Sequence, residues 1–375
     1  MAKIGILSMQ RINNYGSFLQ AYAMKTMLEK MGHDVQFVDY HVGQPLIKDP
    51  DLIQNGFLRK INKATSALMY DAPIKHKLQF IQYKKQFSPK YHRLLGLPKA
   101  MNYTPALDVL VIGSDEVFNC IQVNPNVGYS LELFGKDHRA KRLISYAASF
   151  GNTTLRKLEE YGKQNEIGGL LQNFHALSVR DANSADIIKK LTGREAQFHL
   201  DPVLAYDFIN DCKQIPDIEK KEKYLILYAY AGRITQKESD WISDYAHKKG
   251  LKIYTIGGVQ KCADYFLDCS PFEVLSYFNK AEAVITDTFH GSIFSIITQR
   301  PFATLVRKSV NGAYGNEEKL TDLLTRLGLS DHIAHQQDEI SSILDIRVDY
   351  TSVNELLKTE RERTWSYLRT ETGVA

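Results

Sequence analysis

The chain has 375 residues, 44% of them hydrophobic and 24% charged, with 11 prolines; this is a globular composition, long enough for two domains, and it excludes a disordered or collagen-like chain. Its four cysteines (Cys120, Cys212, Cys262, Cys269) are scattered without a CxxC pair, and no histidines fall at HxxxH or HxH spacing, so neither a disulfide framework nor a metal site is expected. A net charge of +4 is too small to point to nucleic acid, and the lack of a signal-peptide core or of an apolar run near ~18 residues predicts a soluble cytoplasmic protein.

Strand-length apolar runs alternate with helical periods, the mark of layered α/β structure. In the first half, strands are expected at 4–8, 35–39, 109–112 and 143–147, short runs that end in Gly, Ser or Asp, as strands buried on both faces do. A helix over 17–31 joins the first two; Phe18, Tyr22, Leu28 and Met31 share a face, and Gly32 stops it. Residues 45–104 interrupt the alternation. They carry eleven Lys or Arg against three acids, a local +8 that leaves the rest of the chain at −4. Within them Ile74, Leu78, Ile81 and Phe87 keep near-helical spacing among Lys75, Lys77, Lys84 and Lys85. A second alternation opens near residue 175, with strands at 176–179, 224–228, 252–256, 283–286 and 301–306. Helices are expected at 183–191, 236–248, 272–279, 291–299 and 318–327, and a polar helix over 353–369 follows. This organisation predicts two Rossmann-like domains: 1–170, holding the basic helical insertion at 45–104, and 171–350, with 351–375 as a terminal helix. The site then lies between them, at the carboxyl ends of the strands.

Five strand ends carry candidate chemistry. The first runs into Asn14-Tyr15-Gly16-Ser17. Gly16 lets a ligand approach the backbone, Asn14 or Ser17 caps the helix, and free N–H groups there favour an anion or a sugar hydroxyl. A capped turn without a ligand fits equally well, and the loop is not GxGxxG, which disfavours a dinucleotide. The third strand delivers Gly113-Ser114-Asp115 with Asn119 close behind; the carboxylate can accept a proton, orient a hydroxyl or merely cap a helix. Small residues at 145–151 end another strand and leave room for a ligand, or for packing. Arg180, in Ser178-Val179-Arg180-Asp181, stands where a guanidinium forks onto carboxylate or phosphate, or pairs with Asp181 or Asp201. The sharpest signal is Thr286-Asp287-Thr288-Phe289-His290-Gly291-Ser292. His290 falls in the turn, where it can exchange protons near neutral pH; Asp287 can orient its imidazole; Gly291 and Ser292 open a helix whose start favours phosphate.

Together these segments resemble the polysaccharide pyruvyl transferase family: residues 4–40, VIGSDEVFN at 111–119, SYAASFG at 145–151, LSVRDANSADIIKKLTG at 177–193, LDPVLA at 200–205 and VITDTFHGSIFSIITQRPF at 284–302. The resemblance implies a fold similar to GT-B glycosyltransferases, with a C-terminal helix that crosses back to the first domain. It also implies transfer of pyruvate from phosphoenolpyruvate to a sugar of a bacterial surface polymer or its precursor, as a ketal. By position, His290 matches the family's histidine after the strand, Arg180 its arginine in the SVR segment, and Asn14-Tyr15-Gly16 its N-terminal loop. Some members carry arginine before the Phe-His pair, where this chain has Thr288. An anion contact made there must come from Arg180, Arg233 or Arg307, or the donor pocket differs.

On that basis His290 is expected as general acid or phosphate-side stabiliser, and Asp115 as hydroxyl base. Arg180, Asp287, Gly291 and Ser292 are expected on the donor side, and Asn14, Tyr15, Gly16, Ser17, Ser114 and Asn119 on the acceptor side. No metal or other cofactor is called for, because protein groups supply the cations. The expected partners are phosphoenolpyruvate and a sugar acceptor, whose chemistry in this family allows a polyprenyl diphosphate link. The basic segment then grips that diphosphate, docks on the anionic inner leaflet of the plasma membrane, or is only a solvated helix face. Two other function classes suit the same architecture: a nucleotide-sugar glycosyltransferase and a non-catalytic module that binds sugar polymers.

Overall fold

Strands with no polar face need cover on both sides, and the chain provides for this twice. A computed structural model describes residues 1–47, 68–122, 124–219, 221–307, 316–346 and 348–373; residues 48–67 of the basic run 45–104 lie outside them. The first sheet contains β1 (Lys3–Leu7), β2 (Asp34–Phe37), β3 (Ala106–Asp115), β4 (Arg139–Ala148), β5 (Ser178–Val179) and β6 (Gln197–Phe198), in the order β2-β1-β3-β4-β5-β6. The second contains β7 (Tyr224–Tyr228), β8 (Lys252–Thr255), β9 (Tyr265–Phe266), β10 (Ala283–Thr286), β11 (Phe302–Leu305) and β12 (Ile333–Ala334), in the order β12-β11-β10-β7-β8-β9. All of these pairings are parallel. Each order reverses once, between β1 and β3 and between β7 and β10. Such a reversal opens a crevice at the carboxyl ends of the strands, where open α/β sheets bind ligands.

The division between the sheets is not at residue 170. β4 continues to Ala148, which pairs with Val179, and Ser178 pairs with Gln197. Residues 171–200, expected to open the second domain, therefore complete the first sheet. A run of alternating strands and helices shows that layers exist; it does not say which sheet a strand joins.

Six helices bear on the site: α1 (Tyr15–Lys30), α2 (Ile74–Tyr91), α3 (Pro202–Ala205), α4 (Phe289–Ile297), α5 (Glu317–Arg326) and α6 (Tyr350–Thr372). One apolar core runs through both domains. Phe18 and Tyr22 of α1 meet Phe272 edge-on, and the Tyr15 hydroxyl donates to the Cys269 carbonyl at 2.9 Å. α2 lies over the same junction. Its buried face is His76, Phe80, Tyr83 and Phe87, and both Phe80 and Tyr83 pack on Phe266. α6 begins on the second domain, where the Tyr350 hydroxyl donates to the Arg300 carbonyl at 2.8 Å. It ends on the first, where the Tyr367 hydroxyl donates to the Ser145 carbonyl at 2.7 Å and Glu371 pairs with Arg142.

Candidate functional site

Two helix starts meet between the sheets. α1 follows β1, and its N-cap Asn14 accepts from the Ser17 N–H at 2.7 Å. α4 follows β10, and its N-cap Thr288 accepts from the Gly291 N–H at 2.9 Å. The second residue of α1 is Gly16; the second of α4 is His290. A Cβ on Gly16 would come within 2.3 Å of His290 Nδ1. Glycine is therefore required there by close approach, so that the imidazole can lie against the backbone.

From His290 a chain of charged groups runs through the cleft. His290 Nε2 lies 3.6 Å from Asp201, whose side chain is 1% exposed. Asp201 receives the Arg180 guanidinium at 2.7 Å, and the same guanidinium reaches Asp115 at 3.1 Å. The Ser17 hydroxyl donates to the other Asp115 oxygen at 2.9 Å, and the Glu116 N–H donates to Asp115 at 2.9 Å. Burial alone would raise the Asp201 carboxyl, but His290 and Arg180 hold it down at about 2. Asp201 is placed by its own sequence. Pro202 follows it, and its carboxylate accepts from the Val203 N–H at 3.0 Å as the cap of α3. A second pair ties the domains: Lys319 of α5 meets Glu116 at 2.8 Å. Burial would also raise Glu116, and Lys319, with Arg180 behind it, brings its carboxyl to about 2.

Apart from the buried Asp201, this array lines a cleft of about 2150 Å³ that both domains wall. Eight basic side chains line it (Arg11, Lys84, Lys85, Arg156, Lys157, Arg180, Arg233 and Lys319) against the carboxylates Asp39, Asp115 and Glu116. An anionic ligand is what such a surface attracts. Lys84 enters from α2, with its ammonium over the Phe80 and Tyr83 rings at 5.4 and 5.5 Å and 3.4 Å from the Asn13 carbonyl. Although its surface is open to the cleft, the walls displace enough water to lower its pKa to about 8. Arg233, just past β7, stacks on the Tyr230 ring at 4.3 Å beside Thr288 and His290 in the cleft lining.

The residues expected on the donor side divide. Arg180 is at the centre, but its guanidinium is only 4% exposed and already binds two carboxylates. Asp287 does not orient the imidazole; that neighbour is Asp201. Asp287 is buried on the far side, 3.8 Å from both Arg233 and Arg307, and burial raises its pKa. Gly291 and Ser292 do not open the helix. α4 begins two residues earlier, so the Gly291 N–H is used by the Thr288 cap. The Ser292 hydroxyl is fully buried beside the Thr304 hydroxyl at 2.9 Å.

On the acceptor side, Gly16, Ser17, Asn14 and Asn119 line the cleft, with Asn14 occupied as the cap. Asn119 donates to Glu116 at 2.8 Å and accepts from the Thr153 hydroxyl at 3.0 Å. Tyr15 and Ser114 do not line it. Tyr15 is fully buried in the domain junction, and Ser114 is turned inward to the Ala147 carbonyl at 2.9 Å. Asp201, Glu116, Lys84 and Lys319 were not singled out as site residues from the sequence. For Asp201 the turn Asp201-Pro202 signals position, and Lys84 stands in the basic helical pattern of 74–87; for Glu116 and Lys319 no local pattern exists. Among the described residues no group of three or more His, Cys, Asp or Glu is arranged to hold a metal ion.

A model of the polysaccharide pyruvyl transferase family matches residues 14–309, which include both helix starts and the whole charged chain between them. The protein belongs to the polysaccharide pyruvyl transferase family. Among curated proteins none matches the sequence. The architecture is similar to that of GT-B glycosyltransferases and sugar-nucleotide epimerases. A structure from Listeria monocytogenes assigned as a UDP-N-acetylglucosamine 2-epimerase superposes with a TM-score of 0.52 at 8% identity, over 99% of this chain and 96% of that one. An O-GlcNAc transferase from Thermobaculum terrenum gives 0.41 at 12% identity; the match covers 98% of this chain but only 64% of that longer one. A heptosyltransferase from E. coli gives 0.39 at 13% identity, over 95% and 99% of the two chains. As a family member the chain is a polysaccharide pyruvyl transferase by class, and its cleft lies beside the strand-order reversals of its own two sheets.

Proposed function

We propose that the protein transfers pyruvate from phosphoenolpyruvate to two hydroxyls of one sugar in a bacterial surface polymer or its lipid-linked precursor, forming a ketal. The observation that carries this reading is the line Asp115–Arg180–Asp201–His290, which joins the two domains and presents Asp115, Arg180 and His290 to a basic cleft. It sets a proton-transfer residue and a candidate base in a field that favours a small anion. His290 delivers a proton to the methylene carbon, which becomes the methyl group. One sugar hydroxyl adds to the central carbon and gives its proton to Asp115; the carbon–oxygen bond to phosphate breaks, and the second hydroxyl closes the ketal. Of the two hydroxyl protons, one is balanced by the methyl group and the other leaves on inorganic phosphate.

Arg180 and Asp201 are positioning residues in this scheme. The guanidinium fixes Asp115 and Asp201 in place, and Asp201 fixes the ring of His290. Arg233 takes the donor's anionic groups, in place of an arginine at Thr288, and Lys84 lines the same cleft. Work on a precursor before export places the reaction in the cytoplasm.

The test is incubation with phosphoenolpyruvate and a panel of sugars, free and carried on polyprenyl diphosphate, following phosphate release and the mass of the acceptor. Phosphate released in step with a pyruvylated acceptor supports the reading. Protection of the fold by a nucleoside diphosphate, with no effect of phosphoenolpyruvate, turns it toward a glycosyltransferase. Acceptor binding without any product turns it toward a binding module.

A further inference from the structure

α2 has a basic side that belongs to the cleft and another that does not. Ile81, Lys84, Lys85 and Ser88 line the cleft, while Ile74, Lys75, Lys77 and Leu78 lie outside it. On that outer side the apolar residues are not buried. Ile74 is 72% exposed and Leu78 57%, one turn apart on the helix. Leu68 and Met69 join them, 49% and 85% exposed, because the Lys77 ammonium donates to the Leu68 carbonyl at 2.8 Å beside the start of α2. The concentration is local. Of the thirteen large apolar side chains exposed among the described residues, seven fall between Leu68 and Tyr103. The same stretch holds seven Lys or Arg and one acid, Asp71, which Lys261 pairs at 3.0 Å.

We propose that this outer side of α2 docks the protein on an anionic lipid membrane. Exposed leucine, isoleucine and methionine interspersed with lysines match both layers of such a surface, the acyl boundary and the charged headgroups. A soluble polyanion would use the lysines and leave the apolar residues unexplained. The position also suits a membrane. Ile74, Leu78 and Lys85 follow one row along α2, and Lys85 already lines the cleft, so the docked face adjoins the cleft mouth. No helix among the described residues is long and apolar enough to cross a membrane, which makes this a surface contact.

The experiment is sedimentation of the full chain with vesicles of phosphatidylglycerol and phosphatidylcholine, or of phosphatidylcholine alone, at low and high salt. Two variants accompany it, Ile74→Ser with Leu78→Ser, and Lys75→Glu with Lys77→Glu; circular dichroism melts check that each is folded. The expected result is binding to the anionic vesicles only, weakened by salt and reduced about tenfold or more by either double substitution. Failure of the wild-type chain to sediment overturns the proposal. So does binding that the lysine pair lowers and the Ile74/Leu78 pair leaves unchanged, which describes a polyanion site. A concentration-dependent dimer dissolved by Ile74→Ser with Leu78→Ser, in a protein that ignores vesicles, assigns the patch to a second copy. None of these readings uses catalysis, so they stand or fall apart from the pyruvyl transfer.

Discussion

The starts of α1 and α4 are built alike and do different work. Each follows a strand beside its sheet's reversal, each is capped by a side-chain oxygen on the third helical N–H, and each puts an aromatic residue first in the helix. The difference is at the second position. In α1 it is Gly16, with no side chain; in α4 it is His290, whose ring occupies the room that Gly16 leaves. One domain supplies an imidazole and the other the room for it. The first residues diverge as well. Tyr15 is fully buried and anchors the domain junction, whereas Phe289 lies under the Arg180 guanidinium at 4.3 Å.

The comparison breaks most completely at His290. His290→Ala, or His290→Asn, is expected to lower turnover by at least about a hundredfold, the scale of acid–base assistance, with the melting profile intact. Stopped-flow or phosphate-release assays read the first and circular dichroism the second; near-normal turnover in a folded variant removes His290 from the chemistry. Gly16→Ala attacks the same contact from the other domain. A Cβ at 2.3 Å must push the ring off Gly16, and turnover should fall about tenfold or more, since misplacement of about 1 Å can cost more than that. In a His290→Ala background the Gly16 substitution should add almost nothing, because the two residues then no longer touch. Additive losses in that double variant would show that Gly16 serves something other than the ring.

Much of this arrangement was legible in the sequence, and the parts that were not share a cause. Buried strands such as β1, β7 and β10 announce themselves as apolar runs, and Gly16, His290, Asp115 and Arg180 stand at strand ends. The two-residue edge strands β6, β9 and β12 carry no pattern to read. The start of α4 was displaced because Gly291-Ser292 looks like a helix opening, while the threonine three residues before Gly291 is the actual cap. Pairings across long stretches of chain leave no local trace: Asp201 to Arg180 spans 21 residues, and Lys319 to Glu116 spans 203. Sequence spacing suggested Asp287 as the partner of His290 because it is near in the chain. Tertiary structure supplies Asp201 instead.

Asp201 gives the next test, on the group that joins the two helix starts. Asp201→Asn keeps the shape and removes the charge between His290 and Arg180. Breaking one partner out of a buried ionic network costs about 3 kcal/mol, which a urea titration will resolve. The pH profile should change in a defined direction. Asp201 is held at about 2 in the folded chain, below its unfolded value near ~3.9. Its contribution is therefore fully present above ~4 and is lost as pH falls toward 2. In the variant that part of the acid-side slope disappears, leaving Glu116, which is depressed in the same direction. Arg180→Lys should lose stability as well, since one ammonium cannot reproduce a fork that reaches two carboxylates. An unchanged acid limb in Asp201→Asn would mean that this carboxylate titrates as it does in the unfolded chain.

The smallest effect separates the two caps. Asn14→Ala and Thr288→Ala each remove one side-chain oxygen from a helix start, a loss of about 1 kcal/mol. On stability the two should be nearly equal, because the bonds are alike at 2.7 and 2.9 Å. On turnover they should not. Thr288 caps the turn that carries His290, and its hydroxyl also lies 3.1 Å from that of Thr286 at the end of β10. Without it the first turn of α4 is tied to the strand only by the Thr288 N–H, which donates to the Thr286 hydroxyl at 3.1 Å, and the ring is held less firmly above Gly16. Asn14 caps a turn that gives the ring only a glycine; it also carries Ser17, which donates to Asp115, but Asp115 keeps its bonds from Arg180 and the Glu116 N–H, so loss of the cap misplaces no reactive atom. The expected outcome is a several-fold lower kcat for Thr288→Ala, restored by Thr288→Ser, beside an Asn14→Ala variant whose kcat is near normal. Steady-state kinetics on the pair, with urea titrations to match their stabilities, decides it. Equal losses of kcat would mean that the cleft depends on both helix starts for position and that the division between a working side and a receiving side is false.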